Sequence, residues 1–394
     1  MTPLSSKLEP AETIRHPRQL RTLVDTLRGT PLLAVDTESN SLYAYQERVC
    51  LIQFSAAGED HLVDPLALED LSPLKPVFAN PDIEKVFHAA EYDLICLSRD
   101  FGFEVQHIFD TMLAARILGR SEVGLGALLE AEFGIKLEKR YQRANWGQRP
   151  LPAHLLDYAR LDTHYLIELR DRLAQGLKER GLEALAEEDF RRMALTSLNG
   201  NGGKHNGDGQ NEGGASPSRP IDCWRISGAH DLSARQAAVL LELCRLRDEL
   251  ARQLARPLFK VMGDQALLVI ASKPPATLEE LDKLRAISAG QARRFGKQIL
   301  KAVARGQNSE PAHPQRNRQP DPRVTERLDA LRNWRKEAAR EMGVPSDVVL
   351  PRDLMQALAG ENPRTPQELE RVMRSAPWRR EHFGEQILRT LLRY

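Results

Sequence analysis

The chain has 394 residues, of which 41% are hydrophobic and 28% charged, and this composition indicates a globular protein of two or three domains. No apolar run approaches the roughly 20 residues of a membrane-spanning helix, and the N-terminus lacks the apolar core of a signal peptide. The four cysteines are widely spaced without a CxxC pair, which argues against a disulfide framework or a zinc site. We therefore expect a cytoplasmic protein with no membrane association.

The net charge of +1 conceals a division along the chain. Residues 1–221 contain 25 Lys and Arg against 33 Asp and Glu, whereas residues 222–394 contain 31 against 22. An acidic half joined to a basic half indicates that one part holds cations and the other attracts a polyanion. Ordinary scatter of surface charge is the alternative explanation.

The first half of the chain predicts strands followed by helices. Four short β-rich segments predict strands, at 31–35, 48–54, 60–63 and 85–88. A helical pattern over 89–101 stops at Gly102, and Asp110 with Thr111 predicts the N-cap of the next helix. Residues 122–193 are mostly helical in pattern, apart from a loop at 136–152. This order of elements predicts a mixed α/β sheet with helices on its faces.

The second half of the chain contains an internal repeat with an offset of 88 residues. Three segments match at this offset: 247–252 with 335–340, 277–281 with 365–369, and 295–300 with 383–388. The repeat predicts two small helical domains, at 222–306 and 322–394. Polar stretches at 196–221 and 307–321 predict linkers, the first of them flexible.

Three acidic segments carry the candidate chemistry. They are Asp36-Thr37-Glu38, Asp93, and the pair Tyr158 and Asp162 at helical i, i+4 spacing. Four convergent carboxylates repel each other unless cations lie between them, and hard oxygen ligands favour Mg²⁺ or Mn²⁺ over zinc. The set predicts a two-metal site that cleaves phosphodiesters. Each segment alone has a plainer interpretation: a solvated strand end, a charge at a helix start, or a tyrosine at the edge of the core.

The order DxE, then HxxxxD from His88 to Asp93, then YxxxD resembles the three exonuclease motifs of the DEDD superfamily, tyrosine subclass. Three flanking segments are similar to the ribonuclease D family: 49–53, Asp110-Thr111 and 145–151. The resemblance covers most of residues 20–190, and the two repeats resemble HRDC domains. Ala144 departs from the family pattern, which usually has a serine there, and residues 39–42 replace a frequent aromatic.

The resemblance implies a ribonuclease H-like mixed-sheet exonuclease domain at 1–195, followed by two all-α HRDC domains. It implies a 3′→5′ exoribonuclease that releases 5′-nucleoside monophosphates and trims tRNA precursors and other small structured RNAs. Asp36, Glu38, Asp93 and Asp162 would hold two Mg²⁺ or Mn²⁺ ions. Tyr158, with an ordinary pKa near ~10, would orient the attacking water rather than deprotonate it.

RNA contacts are predicted on both halves of the chain. The candidate residues are His88, Trp146, Arg149, Arg247, Lys260, Arg293 and Arg294. For His88 the alternative is that it orients the strand end. We expect a monomer without an obligate protein partner. Two alternative functions remain open at this point: a DNA-directed 3′→5′ exonuclease, and a nucleic-acid-binding scaffold whose nuclease domain is inert.

Overall fold

The computed structural model describes residues 11–198, 222–313 and 321–393. The chain separates into two compact units. The sheet unit comprises 1–39, 49–207 and 320–394, and the helical unit comprises 40–48 and 208–319. The predicted domain boundaries stay predictions, and residues 199–221 and 314–320 of the predicted linkers lie outside the described residues.

A six-stranded mixed sheet forms the centre of the described part of the sheet unit. The strands are β1 (Glu12–Ile14), β2 (Leu32–Ser39), β3 (Val49–Ala56), β4 (Glu59–Val63), β5 (Glu84–Phe87) and β6 (Ile108–Asp110). Their order is β1-β4-β3-β2-β5-β6. The central strand β3 runs antiparallel to β2 and β4, whereas β2, β5 and β6 are parallel. The predicted mixed α/β sheet is confirmed, and the three-residue β1 was not predicted.

Helices cover both faces of this sheet. They are α1 (Pro17–Arg28), α2 (Lys75–Ala79), α3 (Glu91–Phe101), α4 (Thr111–Ile117), α5 (Leu125–Phe133), α6 (Ala153–His164), α7 (Leu166–Glu179) and α8 (Glu183–Leu198). Two predicted helix boundaries are confirmed. Gly102 ends α3 in the left-handed conformation with a φ of 62°, and the Asp110 carboxylate caps α4 by accepting from the Leu113 N–H at 2.8 Å.

Alternation along β2 separates two hydrophobic clusters. Leu33 and Val35 pack into the cluster that includes α1 and α3, whereas Ala34 packs into the cluster that includes α4, α7 and α8. Because side chains two apart on a strand share a face, Asp36 and Glu38 lie on the Ala34 side. This alternation decides where the acidic pair of β2 projects.

The two helical repeats have the same succession of helices. The first contains α9 (Ala234–Leu254), α10 (Leu258–Val261), α11 (Asp264–Ser272), α12 (Leu278–Lys283) and α13 (Ala289–Asn308). The second contains α14 (Pro322–Met342), α15 (Ser346–Val349), α16 (Arg352–Glu361), α17 (Pro366–Val372) and α18 (Pro377–Leu391). Each helix of the second repeat begins 88 residues after its counterpart in the first. The predicted repeat and the all-α character of this region are therefore confirmed.

The repeats differ in what they pack against. The second belongs to the sheet unit, where Arg379 of α18 is fully buried and pairs with Glu188 at 2.6 Å and Asp189 at 2.8 Å, both on α8. The first repeat forms the helical unit together with segment 40–48. Tyr45 of that segment lies in the hydrophobic core of the repeat, and its hydroxyl donates to Asp248 at 2.7 Å.

Two smaller observations complete the fold. The first three residues of the predicted linker at 196–221 belong to α8, which runs to Leu198. Among the described residues, no helix combines the length and the apolar character needed to span a membrane.

Candidate active site

The acidic pair of β2 meets helix α6 at one face of the sheet. Asp36 and Glu38 share that face because β2 continues through Ser39 instead of ending at Asp36, and α6 packs against β2, β3 and β4. Asp162 lies one turn beyond Tyr158 on α6. Carboxylate oxygens of Asp36, Glu38 and Asp162 all lie within 4.8 Å of one another. Strand and helix thus bring together three acids separated by up to 126 residues of chain.

Asp93 joins the cluster from the first turn of α3. Its side chain is buried, and the hydroxyl of Thr37, the middle residue of the β2 motif, donates a short hydrogen bond to its Oδ1. The charge of Asp36 contributes to raising the pKa of Asp93, as expected for neighbouring carboxylates. The structure therefore gathers all four predicted carboxylates.

Burial and mutual repulsion dominate the electrostatics of this site. Burial raises the pKa of Asp36, Glu38 and Asp93 well above their usual ranges, and neighbouring carboxylates raise them further. For Asp162, burial and the charge of Asp93 raise the pKa to about 7. No cation contributes to these four shifts among the described residues. A cluster of hard oxygen donors without an internal counter-charge fits divalent cations such as Mg²⁺ or Mn²⁺.

Tyr158 borders the carboxylates as a neutral phenol. Burial raises its pKa above the ordinary value, with further contributions from Asp162, Glu38 and Asp36. Its ring lies 6.2 Å from that of Trp146 and 5.7 Å from that of Tyr141. A phenol in these surroundings stays protonated at neutral pH and can donate a hydrogen bond.

A second polar network, which the sequence did not reveal, fixes α6 in place. Asp60 of β4 accepts from the Ser55 hydroxyl at 2.6 Å and contacts His164 Nδ1 at 2.8 Å. The buried Arg160 guanidinium lies 3.6 Å from the same carboxylate. His164 and Arg160 both belong to α6, so the network holds the helix that carries Tyr158 and Asp162. Asp60 and His164 are 104 residues apart, and no local pattern connects them.

Asp110 also has a second role beyond the predicted N-cap. Its buried carboxylate accepts from the Ala90 N–H at 2.7 Å, directly before the start of α3. The Asp110-Thr111 pair thereby fixes the turn that delivers Asp93 to the site. The sequence predicted Asp110 and Thr111 only as the N-cap of α4, and it did not predict the contact with Ala90.

Three of the predicted RNA contacts already have contacts within the protein, and their RNA contacts stay predictions. Trp146 is only 1% exposed and packs in a hydrophobic cluster. The Arg149 guanidinium binds the Asp64 carboxylate through two hydrogen bonds of 2.9 and 2.7 Å and the Cys50 carbonyl at 2.6 Å. Arg247 is 9% exposed and pairs with Asp264. Trp146 thus packs in the core, and the two arginines make ion pairs within the protein.

His88 fits the alternative interpretation better than an RNA contact. Its Nδ1 lies 2.9 Å from the Thr111 hydroxyl, and burial lowers the pKa of the imidazole to about 4. A neutral ring held at the end of β5 orients the turn before α3. The remaining candidates, Lys260, Arg293 and Arg294, are exposed in the helical unit, and their RNA contacts stay predictions.

Comparisons with known proteins match the sheet-containing part of the chain and the two helical repeats separately. A family model described as 3′-5′ exonuclease matches residues 11–178, and the HRDC domain model matches residues 236–303 and 324–391. Protein RRP6-like 3 of Arabidopsis thaliana is 35% identical over 67% of this chain and 30% of its own length. The chain therefore spans about a third of that relative.

Two further comparisons extend over nearly the whole chain. Ribonuclease D of Granulibacter bethesdensis is 27% identical over 97% of this chain and 93% of its own length. The crystal structure of Escherichia coli RNase D, an exoribonuclease involved in structured RNA processing, superposes with a TM-score of 0.71 at 26% identity. That superposition covers 98% of this chain and all of the bacterial chain.

Proposed function

Because the chain belongs to the ribonuclease D-type 3′-5′ exonucleases with HRDC domains, we propose that it is an exoribonuclease that shortens RNA from the 3′ end. The observation that carries the proposal is the cluster of Asp36, Glu38 and Asp162, whose oxygens lie within 4.8 Å of one another. The products are 5′-nucleoside monophosphates, released one at a time. The substrates are the 3′ ends of tRNA precursors and other small structured RNAs, a choice that rests on the family.

The four carboxylates are the residues that would hold the metal. Asp36, Glu38, Asp93 and Asp162 suit two Mg²⁺ or Mn²⁺ ions, because each offers hard carboxylate oxygens and their charges repel each other. Divalent ions bound there would supply activation of the attacking water and stabilisation of the charge on the leaving 3′ oxygen. The raised pKa values of the carboxylates support a site that gains stability when it takes up cations.

The protein's own groups orient the reactants. Tyr158 keeps its proton and positions the water for in-line attack on the terminal phosphodiester. Thr37 holds Asp93, and the Asp60 network holds α6, so strand and helix present their carboxylates in a fixed arrangement. Hydrolysis by an oriented water requires no covalent enzyme intermediate, and none of these residues is placed as a nucleophile.

The test is digestion of a 5′-labelled RNA with Mg²⁺ or Mn²⁺. The label follows shortening from the 3′ end, and chromatography identifies the released nucleotides. Asp36→Asn should lower the rate by on the order of 10³, because a metal ligand contributes several kcal/mol to the transition state. Asp25→Asn is the matched control, since this carboxylate is 77% exposed on α1. Wild-type activity of Asp36→Asn would refute the site.

The same assay decides between the functions that the motifs left open. A matched single-stranded DNA should be digested more slowly than the RNA. Faster DNA digestion would establish the DNA exonuclease instead. Stoichiometric RNA binding without release of any nucleotide would establish the inert scaffold.

A further inference from the structure

The last helix of the first repeat is basic along its whole outer side. Helix α13 carries five cationic residues and, over its 20 residues, no acidic one. The cations are Arg293, Arg294, Lys297, Lys301 and Arg305. At about 100° per residue, they fall within one arc of roughly 120°. The buried side chains of the helix, which include Phe295, Ile299 and Val303, lie on the opposite side.

Most of these cations have no internal counter-charge. Arg293, Lys297 and Lys301 are exposed and make no ion pair with any described residue. Arg294 lies over the Phe295 ring at 5.2 Å, and Arg305 pairs with Glu242 at 2.8 Å. The face between them is a line of like charges, which a bound polyanion would neutralise.

The second repeat shows that the fold does not require such a face. At the offset of 88 residues, Glu381 and Glu385 of α18 stand in the positions of Arg293 and Lys297. Arg389, in the position of Lys301, pairs with Glu385. The equivalent surface of the second repeat therefore carries both signs of charge. Another arginine of α18, Arg379, is buried against α8.

We propose that the outer face of α13 binds the phosphate backbone of RNA and that the second repeat serves as a docking module without this surface. The proposal rests on the proposed function in one respect, the choice of RNA as the polyanion. Phosphate contacts position a strand without reading its sequence. From Arg293 to Arg305 the helix rises about 18 Å at ~1.5 Å per residue, a length along which one strand can contact the face with several successive phosphates.

The experiment compares two triple charge reversals. Arg293→Glu, Lys297→Glu and Lys301→Glu alter the proposed face. Arg332→Glu, Lys336→Glu and Arg340→Glu form the matched control, because these residues are also exposed and spaced by four, on α14. Both variants change the net charge equally. Binding of a fluorescein-labelled oligoadenylate is measured by anisotropy in EDTA, which prevents metal-dependent hydrolysis.

The α13 variant should bind at least about tenfold more weakly at ~50 mM salt. The negative slope of log affinity against log salt should become shallower by about 2, since three phosphate contacts are lost at ~0.7 each. The control should keep most of the wild-type affinity and slope. Equal losses in both variants, or no loss in the first, would overturn the proposal. A glutamine version of the α13 variant, with thermal unfolding of each protein, separates lost contacts from lost folding.

The outcome is distinguishable from failure of the proposed function. Nucleotide release by the wild-type chain with Mg²⁺ tests the catalytic site, and binding in EDTA tests the α13 face. A protein that binds through α13 without releasing nucleotides would support this inference while refuting the exoribonuclease.

Discussion

Two groups of carboxylates lie buried or half-buried in the sheet unit, and their surroundings are opposite. At α8, Glu188 and Asp189 face Arg379, whose guanidinium donates to both. Glu188 also accepts from the Trp378 N–H at 2.6 Å, so this group is compensated inside the chain. At the candidate active site, Asp36, Glu38, Asp93 and Asp162 face each other, and each carboxylate has its pKa raised.

This difference separates a structural from a functional use of buried charge. Removing carboxylates from water is unfavourable in both places. At α8 the chain supplies the compensating cation and gains a fixed contact with the second repeat. At the candidate site the compensation has to come from outside, which is the property expected of a metal-dependent centre.

The largest effect is expected at the compensated group. Arg379→Met should lower the free energy of unfolding of the sheet unit by about 3–5 kcal/mol, because it leaves the buried Glu188 carboxylate without its cation and removes the main partner of Asp189. The measurement is urea unfolding followed by tryptophan fluorescence. Arg380→Met is the neighbouring control, since its partner Glu370 is 64% exposed and such a pair is worth about 0–1 kcal/mol. Equal losses in both variants would remove the distinction.

The uncompensated group should respond in the opposite direction. Asp162→Asn should stabilise the metal-free protein by up to about 4 kcal/mol at pH 8, because it removes one of the mutually repelling charges whose effect on the Asp162 pKa is worth ~1.4 kcal/mol per unit. The measurement is thermal unfolding in EDTA. A decrease in stability would show that the carboxylate is compensated within the chain.

The pH dependence gives the sign of this effect. The pKa of Asp162 is about 7 in the folded protein and about 3.9 in an unfolded chain. The folded state therefore holds the proton more tightly, and wild-type stability falls as the pH rises from about 4 to about 7. Since asparagine does not ionise, the gain from Asp162→Asn should vanish near pH 4 and be complete above pH 7. Added Mn²⁺ should stabilise the wild type and have little effect on this variant.

The smallest effect concerns a compensated pair nearer the surface. Arg149→Lys should lower the free energy of unfolding by about 1 kcal/mol, because lysine cannot reproduce the two-pronged contact with Asp64. RNA affinity, measured by anisotropy in EDTA, should stay at the wild-type value. Weakened binding at unchanged stability would instead support Arg149 as an RNA contact.

Local signals in the sequence predicted a large part of the fold. Apolar runs located β2 to β5, and Gly102 and Asp110 marked helix ends that the structure has. The offset of 88 residues predicted helices that begin in register in both repeats. The carboxylates of the candidate site were predicted from motif order and family resemblance, and their convergence needed only the alternation of β2 and the helical spacing of α6.

Partners distant in the chain set the limit of this prediction. Arg247 and Arg293 are both arginines of the first repeat. Arg247 pairs with Asp264 of α11, whereas Arg293 has no acidic partner among the described residues. Trp146 lies within the predicted loop at 136–152, and only its packing in the cluster beside Tyr158 shows that it belongs to the core. The network of Asp60 with His164 depends on pairing between a strand and a helix that no short pattern encodes.

Segment 40–48 has a consequence for dividing this protein into fragments. The order of domains along the chain invites a catalytic fragment that stops near residue 198. Such a fragment would keep Tyr45 but lose the helices whose core contains it, and it would keep Glu188 and Asp189 without Arg379. A fragment that folds independently therefore cannot be obtained by cutting the chain at one position, because each unit is built from separate segments of the sequence. A shortened version would need a polar replacement for Tyr45 and uncharged replacements for the α8 pair.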